Sequence, residues 1–257
     1  MTRSNDTTLP PPTPIEWAAF QAVLFDLDGV VTKTAVVHAA AWSRVFDDYL
    51  AARLAAGHPA VRPFDPIVDY QRYVDGKLRQ DGVRSFLESR GIHLPQGTPQ
   101  DGPEFETIHG IGNKKDAYFQ AQIDEQGIQM YEDAVAFLHG VRARGLRTAV
   151  VSASKHTRAI VETVGLAGAF DVRIDGLESQ RLGLSGKPAP DSFLEAARRL
   201  HVLPTHAIVV EDAVSGVRAG RNGGFGLVIG VDRTGHGEDL QREGAHLVTS
   251  NLTTLLP

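Results

Sequence analysis

Ala22-Val23-Leu24-Phe25-Asp26-Leu27-Asp28-Gly29-Val30-Val31-Thr32 is the stretch whose reading decides the fold. The apolar run Ala22–Phe25 reads as a buried strand, and it ends in two carboxylates two residues apart. Side chains i and i+2 of an extended segment share a face, and Gly29 relaxes the backbone, so both acids can point into one small site. Two like charges held together repel, so the pair calls for a cation, a shared proton or both. Asp and Gly are also common in surface turns. The apolar run before them and the partner residues elsewhere in the chain weigh against that alternative.

Working outward, residues 1–14 are polar and proline-rich, which predicts a disordered or polyproline tail. Beyond the strand, an alanine-rich helical pattern covers 35–56 and stops at Gly57-His58-Pro59. Further helix is expected over 66–73, 82–90 and 114–125, with a loop holding Pro95, Pro99 and Pro103 between the last two. None of 35–113 carries strong strand signals, so it reads as a helical insertion. The pattern then changes. Helices over 132–144, 157–164, 191–201 and 214–221 alternate with short apolar runs at 148–151, 172–174, 207–210 and 226–229. Such alternation implies a parallel sheet covered on both faces. The expected architecture is an α/β core (15–33 and 116–257) with an inserted helical cap (34–115).

The 257 residues, 42% hydrophobic and 22% charged, suit one large or two unequal globular domains. A net charge of −5 argues against nucleic-acid binding. The chain has no cysteine, which excludes disulfides and thiolate chemistry, and no apolar run of membrane-spanning length. Arg3 is followed by no hydrophobic core of the kind a signal peptide has. A cytoplasmic location without membrane association is the expectation.

In an open parallel sheet, ligands sit beyond the carboxyl ends of the strands. There the chain places Asp26 and Asp28, then Ser152-Ala153-Ser154, then Glu211-Asp212, and Lys187-Pro188-Ala189-Pro190 ahead of a helix. Four acids, two hydroxyls and a lysine suit phosphoryl transfer with magnesium, a hard cation that takes oxygen ligands. No cysteine or paired-histidine arrangement points to zinc. One carboxylate attacks phosphorus, the ion and lysine neutralise the oxygens, hydroxyl and backbone amides hold the phosphoryl group, and the second carboxyl moves the proton. Gly110-Ile111-Gly112-Asn113-Lys114 is not a nucleotide loop, because no strand precedes it and the glycine spacing is incomplete.

Taken in order, these motifs resemble the haloacid dehalogenase (HAD) superfamily, with its Rossmann-like core. The resemblance implies that Asp26 is the nucleophile, forming an aspartyl-phosphate, and that Asp28 is the general acid/base. It further implies that Ser152, Ala153 and Ser154 bind phosphate, Lys187 neutralises charge, and Glu211 and Asp212 hold magnesium. Asp26 would add its carboxylate to the ion and Asp28 its backbone carbonyl.

Thr34, His38 and Trp42 are spaced by four and so share one helix face. They resemble the cap-entry residues of the β-phosphoglucomutase-like family, although Trp42 is equally readable as core packing. Asp75-Gly76-Lys77-Leu78-Arg79 is similar to that family's substrate-recognition loop, with Arg79 at the phosphate-binding arginine. Gly112-Asn113-Lys114-Lys115-Asp116 is similar to its second hinge, with Lys115 at the lysine position and Lys114 as the neighbouring alternative. The resemblance covers 22–247. Lys33 departs from it, standing where many relatives carry an acid, and so does His156, where an asparagine is common. What it implies is interconversion of β-glucose 1-phosphate and glucose 6-phosphate through glucose 1,6-bisphosphate, by a monomeric magnesium enzyme whose partner is a small sugar phosphate. The alternatives are a magnesium-dependent phosphatase and a catalytically silent binding module. The second is disfavoured because no essential acid or lysine is missing. His236 and His246 are expected to have no catalytic role.

Overall fold

The computed structural model describes residues 15–256, and the tail expected over 1–14 lies outside them. In chain order the main elements are β1 (Ala22–Phe25), α1 (Thr34–Ala55), a π turn (Tyr70–Val74), α2 (Arg79–Glu88), α3 (Ile108–Gln126) and α4 (Glu132–Ala143). Then come β2 (Arg147–Val151), α5 (Thr157–Thr163), β3 (Val172–Ile174), α6 (Gly176–Leu182), α7 (Asp191–Arg199) and β4 (Ala207–Glu211). The chain finishes with α8 (Val214–Asn222), β5 (Leu227–Val231), α9 (Gly237–Arg242) and β6 (Leu247–Thr249).

The six strands form one parallel sheet in the order β3-β2-β1-β4-β5-β6. All of β1 and β4 is buried, and their side chains alternate between the two faces. Val23 and Phe25 join a cluster with Phe137 and Ile160 on one side, while Ala22 and Leu24 join Phe193 and Val217 on the other. The chain leaves β1 toward β2 and β3 on one side and later returns to lay down β4, β5 and β6 on the other. The order therefore reverses between β1 and β4, where a doubly wound sheet opens its ligand crevice. Burying Val23, Leu24 and Phe25 contributes about 1.5–3 kcal/mol each. A lone buried carboxylate costs several kcal/mol, so β1 can carry Asp26 into the interior only where a cation meets it.

Between β1 and β2, helices α1 to α3 pack a cluster of their own around Trp42, Val45, Phe46, Phe86 and Ile111. On α1 the buried residues Trp42, Val45, Phe46 and Tyr49 follow helical spacing. This is the helical cap. The helix expected over 114–125 begins six residues earlier, at Ile108, where the Thr107 side chain accepts the Gly110 N–H at 2.9 Å. Gly110 and Gly112 in its first turns hide it from propensity reasoning. The cap boundary expected at 115/116 thus falls inside one continuous helix, whose Ile111 packs in the cap and whose Phe119 packs in the core. Three short elements were also unexpected, namely α6, α9 and β6. The first is announced by a cap, since Asp175 accepts the Glu178 N–H at 2.8 Å.

Candidate active site

Parallel pairing sets Phe25 opposite both Val150 and Val210, and the Asp26 amide donates to Val210 O at 2.9 Å. Asp26 and Glu211 therefore leave the sheet side by side. Lys187, from the loop before α7, donates to Asp26 Oδ1 at 2.5 Å and also bonds Glu211. Burial works against the lysine's charge, but Asp26 and Glu211 outweigh it and hold Lys187 protonated far above its ordinary range. Asp26 is pushed well upward by burial, opposed by Lys187 and reinforced by Glu211 and Asp28. Asp212 is raised by burial and by the charges of Asp75, Glu211 and Asp26.

Carboxylate oxygens of Asp26, Glu211 and Asp212 lie within 4.8 Å of one another. Among the described residues, Asp212 Oδ1 is buried with no hydrogen-bond partner. An all-oxygen donor set, mutual repulsion and an orphaned oxygen fit a hard divalent cation. The packing around it leaves no slack. Gly29 has φ +97°, and a Cβ there would lie 1.8 Å from Asp212 Oδ2; a Cβ on Gly216 would lie 1.7 Å from Glu211 Oε1.

Asp28 faces the other way, toward the cap. Its Oδ1 accepts the Thr34 hydroxyl at 2.5 Å and its Oδ2 the Ser152 hydroxyl at 2.9 Å, and His38 Nε2 lies 3.3 Å from Oδ1. Burial disfavours its charge, yet His38, Thr34 and Ser152 together hold it well below the usual carboxylate range. The resemblance implied that Asp28 reaches the ion through its backbone carbonyl. Its carboxylate stands outside the three-acid group and belongs to this second set.

Lys115 Nζ donates to His38 Nδ1 at 2.5 Å, which leaves the imidazole proton on Nε2, facing Asp28. His38 stacks on Phe119 with ring centroids 4.0 Å apart. Burial and the charge of Lys115 lower its pKa. Lys115 is itself pushed down to about 7 by burial, against the opposing charges of Asp116 and Asp28. The choice between neighbouring lysines resolves here, because Lys114 points away to Asp48 at 3.7 Å. Trp42 lines the cavity and stacks on Phe46.

A third group surrounds Asp116. Arg79 Nη1 approaches its Oδ1 at 3.0 Å, Lys155 Nζ its Oδ2 at 2.5 Å and His156 Nε2 its Oδ1 at 2.8 Å. Burial opposes the Asp116 charge, but His156, Lys155 and Arg79 keep it ionised far below the usual range.

All three groups meet at one cavity of about 300 Å³ between cap and core. Asp26, Asp28, His38, Trp42, Arg79, Lys115, Ala153, Ser154 and Asp212 line it. Thr34, Ser152, Lys187 and Glu211 stand behind that wall; the first three bond to its acids, and Glu211 bonds to Lys187. Sequence reasoning assigned no role to Tyr70, Asp75, Gln80, Gln96, His109, Asp116, Lys155, His156 or Gln180, all of which also line it. Asp75 and Asp116 lay inside the quoted motifs, and His156 was visible only as a departure from a family pattern. His236, given no catalytic role, donates Nε2 to Asp212 O at 3.0 Å, while His246 accepts the Val228 N–H at 2.9 Å, outside the cavity.

A doubly wound core, a helical cap over its switch point and carboxylates at the β1 and β4 ends define a class of enzyme. Residues 20–224 match the family described as haloacid dehalogenase-like hydrolase, and the chain belongs to that superfamily. A Mycobacterium bovis protein named β-phosphoglucomutase is 47% identical over 92% of this chain and 91% of its own length. A Mycobacterium tuberculosis protein named as an uncharacterized glycosyl hydrolase is 37% identical over 97% of this chain, which spans only 18% of that longer protein. The solved structure of β-phosphoglucomutase from Clostridium difficile shares the fold, with a TM-score of 0.72 at 24% identity, covering 92% of this chain and 93% of that one. Within the superfamily the chain is a member of the β-phosphoglucomutase-like family, an enzyme of the phosphomutase or phosphatase kind.

Proposed function

We propose that this enzyme interconverts β-D-glucose 1-phosphate and D-glucose 6-phosphate through an aspartyl-phosphate on Asp26 and a glucose 1,6-bisphosphate intermediate. The observation that carries the reading is that two separate sets of phosphate-binding side chains serve one cavity, one directly behind its Asp26 wall and one lining it. A phosphatase needs one phosphate site, whereas a mutase whose intermediate carries two phosphates needs two. Asp26 with Lys187 and Ser152 forms one site, and Arg79 with Lys155 and His156 forms the other.

Asp26, Glu211, Asp212 and the Asp28 carbonyl would hold magnesium, which when bound supplies charge neutralisation to the transferring phosphoryl group. Asp26 Oδ attacks phosphorus, and the bond from phosphorus to the departing sugar oxygen breaks. Lys187 offsets charge on the equatorial oxygens, while Ser152 and the Ser154 amide, already bonded to Ser152 Oγ at 3.0 Å, shape the cradle. Asp28 is ionised at rest, so it accepts the proton of the sugar hydroxyl that attacks phospho-Asp26, and returns one to the oxygen that departs. His38 and Lys115 orient that carboxylate. The cap keeps water from phospho-Asp26 until the second hydroxyl arrives.

The substrate is a sugar phosphate of the kind an inverting disaccharide phosphorylase releases. The family's hydrolase description favours a second reading, a phosphatase acting on sugar phosphates, in which water wins that competition. A monomer in the cytoplasm suits either. No helix among the described residues is long and apolar enough to cross a membrane.

The deciding assay supplies β-glucose 1-phosphate with magnesium and catalytic glucose 1,6-bisphosphate. Glucose 6-phosphate is the expected product, abolished in Asp26→Asn. Free phosphate accumulating in its place would establish the phosphatase, and full turnover by Asp26→Asn would remove the assigned nucleophile.

A further inference from the structure

Asp116 is a carboxylate lodged among an arginine, a lysine and a histidine that come from different parts of the fold. Arg79 opens the cap helix α2, and Lys155 and His156 sit on the core between β2 and α5. Arg79 is largely buried, and neither its Nε nor its Nη1 finds a hydrogen-bond partner among the described residues, Nη1 standing 3.0 Å from Asp116 Oδ1 as an ion pair without hydrogen-bond alignment. A guanidinium with a spare buried donor facing a cavity is set to receive more than one carboxylate oxygen.

We propose that Asp116 is a built-in anion that occupies the second phosphate site in the resting enzyme and must leave Arg79 when a phosphate group binds there. The proposal rests on the reading that Arg79, Lys155 and His156 receive the non-reacting phosphate. It adds that this site is gated by competition. A phosphate dianion brings more charge and more acceptor oxygens than a carboxylate and displaces it; a neutral sugar or a weakly charged ligand does not. Asp116 thereby sets specificity for ligands bearing a full phosphate and spares the resting protein the unpaired charges of Arg79 and Lys155 in one pocket. It also joins cap to core without substrate, since its partners Arg79 and Lys155 lie on opposite sides of the cavity.

A purely structural counter-ion would give a different result from a competing one. Losing it would lower the melting temperature and leave phosphate affinity per folded molecule unchanged. Inorganic phosphate is the probe, measured by calorimetry on the full chain, so turnover is not required. Asp116→Asn is expected to bind phosphate on the order of tenfold more tightly, since a negative charge about 3 Å from the ligand's place has been removed. Asp116→Glu restores the resident charge and is expected to return affinity toward the starting value. Adding Arg79→Ala to Asp116→Asn should erase the gain, which places it at this cluster and not at Lys187. Unchanged or weaker phosphate binding by Asp116→Asn overturns the proposal.

Crystals of the unsubstituted protein soaked in inorganic phosphate test the same point without relying on a variant to fold. An anion on Arg79 with Asp116 turned away supports the competition. An anion on Arg79 beside an unmoved Asp116, or anion at Lys187 alone, overturns it. If the mutase assay fails while phosphate binds as described, the reaction assignment falls and this gate stands. If glucose 6-phosphate forms and Asp116→Asn leaves phosphate affinity unchanged, the gate falls and the reaction assignment stands.

Discussion

Lys115 sits where a positive charge is disfavoured, almost fully buried against the rings of Trp42 and Phe119. Its pKa falls from 10.5 to about 7 on folding, with burial as the main cause. Below pH 7 both folded and unfolded chains carry the proton, so the full cost of burying the charge opposes folding. Between 7 and 10.5 the unfolded chain binds more protons than the folded one, and stability rises with pH until the cost is gone. Lys115→Met is therefore expected to raise the melting temperature most at pH 6, with the gain shrinking toward pH 9. A gain that grows with pH, or a loss at pH 6, would contradict this. The motif around Lys115 was legible, but its register was not, because Lys114 and Lys115 are chemically identical in a string. Only helix phase separates them, and α3 turns Lys115 inward and Lys114 out to Asp48. Asp116 was harder to see, because its meaning depends on Arg79, Lys155 and His156, all distant from it in sequence.

At the scale of elements, the turn between β5 and α9 steadies the floor of the site from below. Arg233 reaches Gly29 O and Val30 O at 3.4 Å each, forks onto Asp133 at 3.0 and 3.1 Å, and covers the Tyr131 ring at 3.9 Å. From the same turn His236 holds the Asp212 carbonyl. Arg233→Ala is expected to weaken magnesium binding by about tenfold, read by calorimetry. Arg233→Lys should rescue little, because an ammonium cannot span the fork. Equal affinity in all three proteins would show that the turn only braces the fold. None of this was readable in the sequence, since α9 and β6 are too short to announce themselves by periodicity. The long α1 was readable from its alanine-rich run and the stop at Gly57-His58-Pro59, and β1, β2 and β4 from short continuous apolar runs alternating with helical segments.

For the molecule as a whole, the alternation of helix and strand carried the fold class, and the ends of β1 and β4 carried the acids. What the string could not convey was how the cap closes over them, since that depends on packing between segments far apart in sequence. The acid group also leaves a thermodynamic mark on the entire chain. Asp26, Glu211 and Asp212 repel one another in the folded state and separate on unfolding. A cation held only by the folded chain then stabilises it by about 2.7 kcal/mol at a hundred times its dissociation constant. Magnesium should raise the melting temperature in a concentration-dependent way, and a chelator should reverse it. A melting temperature indifferent to magnesium would argue that the three acids hold no ion.

Gly29 and Gly216 give the site an uneven capacity for evolutionary change. A single methyl group at either position would stand where a carboxylate oxygen already is, so mutation has almost no neutral path through the floor. The opposite wall has no such restriction, for Gln80, Gln96 and His109 come from the cap, whose helices pack a separate interior. Selection for a new sugar can therefore redraw the ceiling of this cavity while the chemistry beneath it is inherited unchanged.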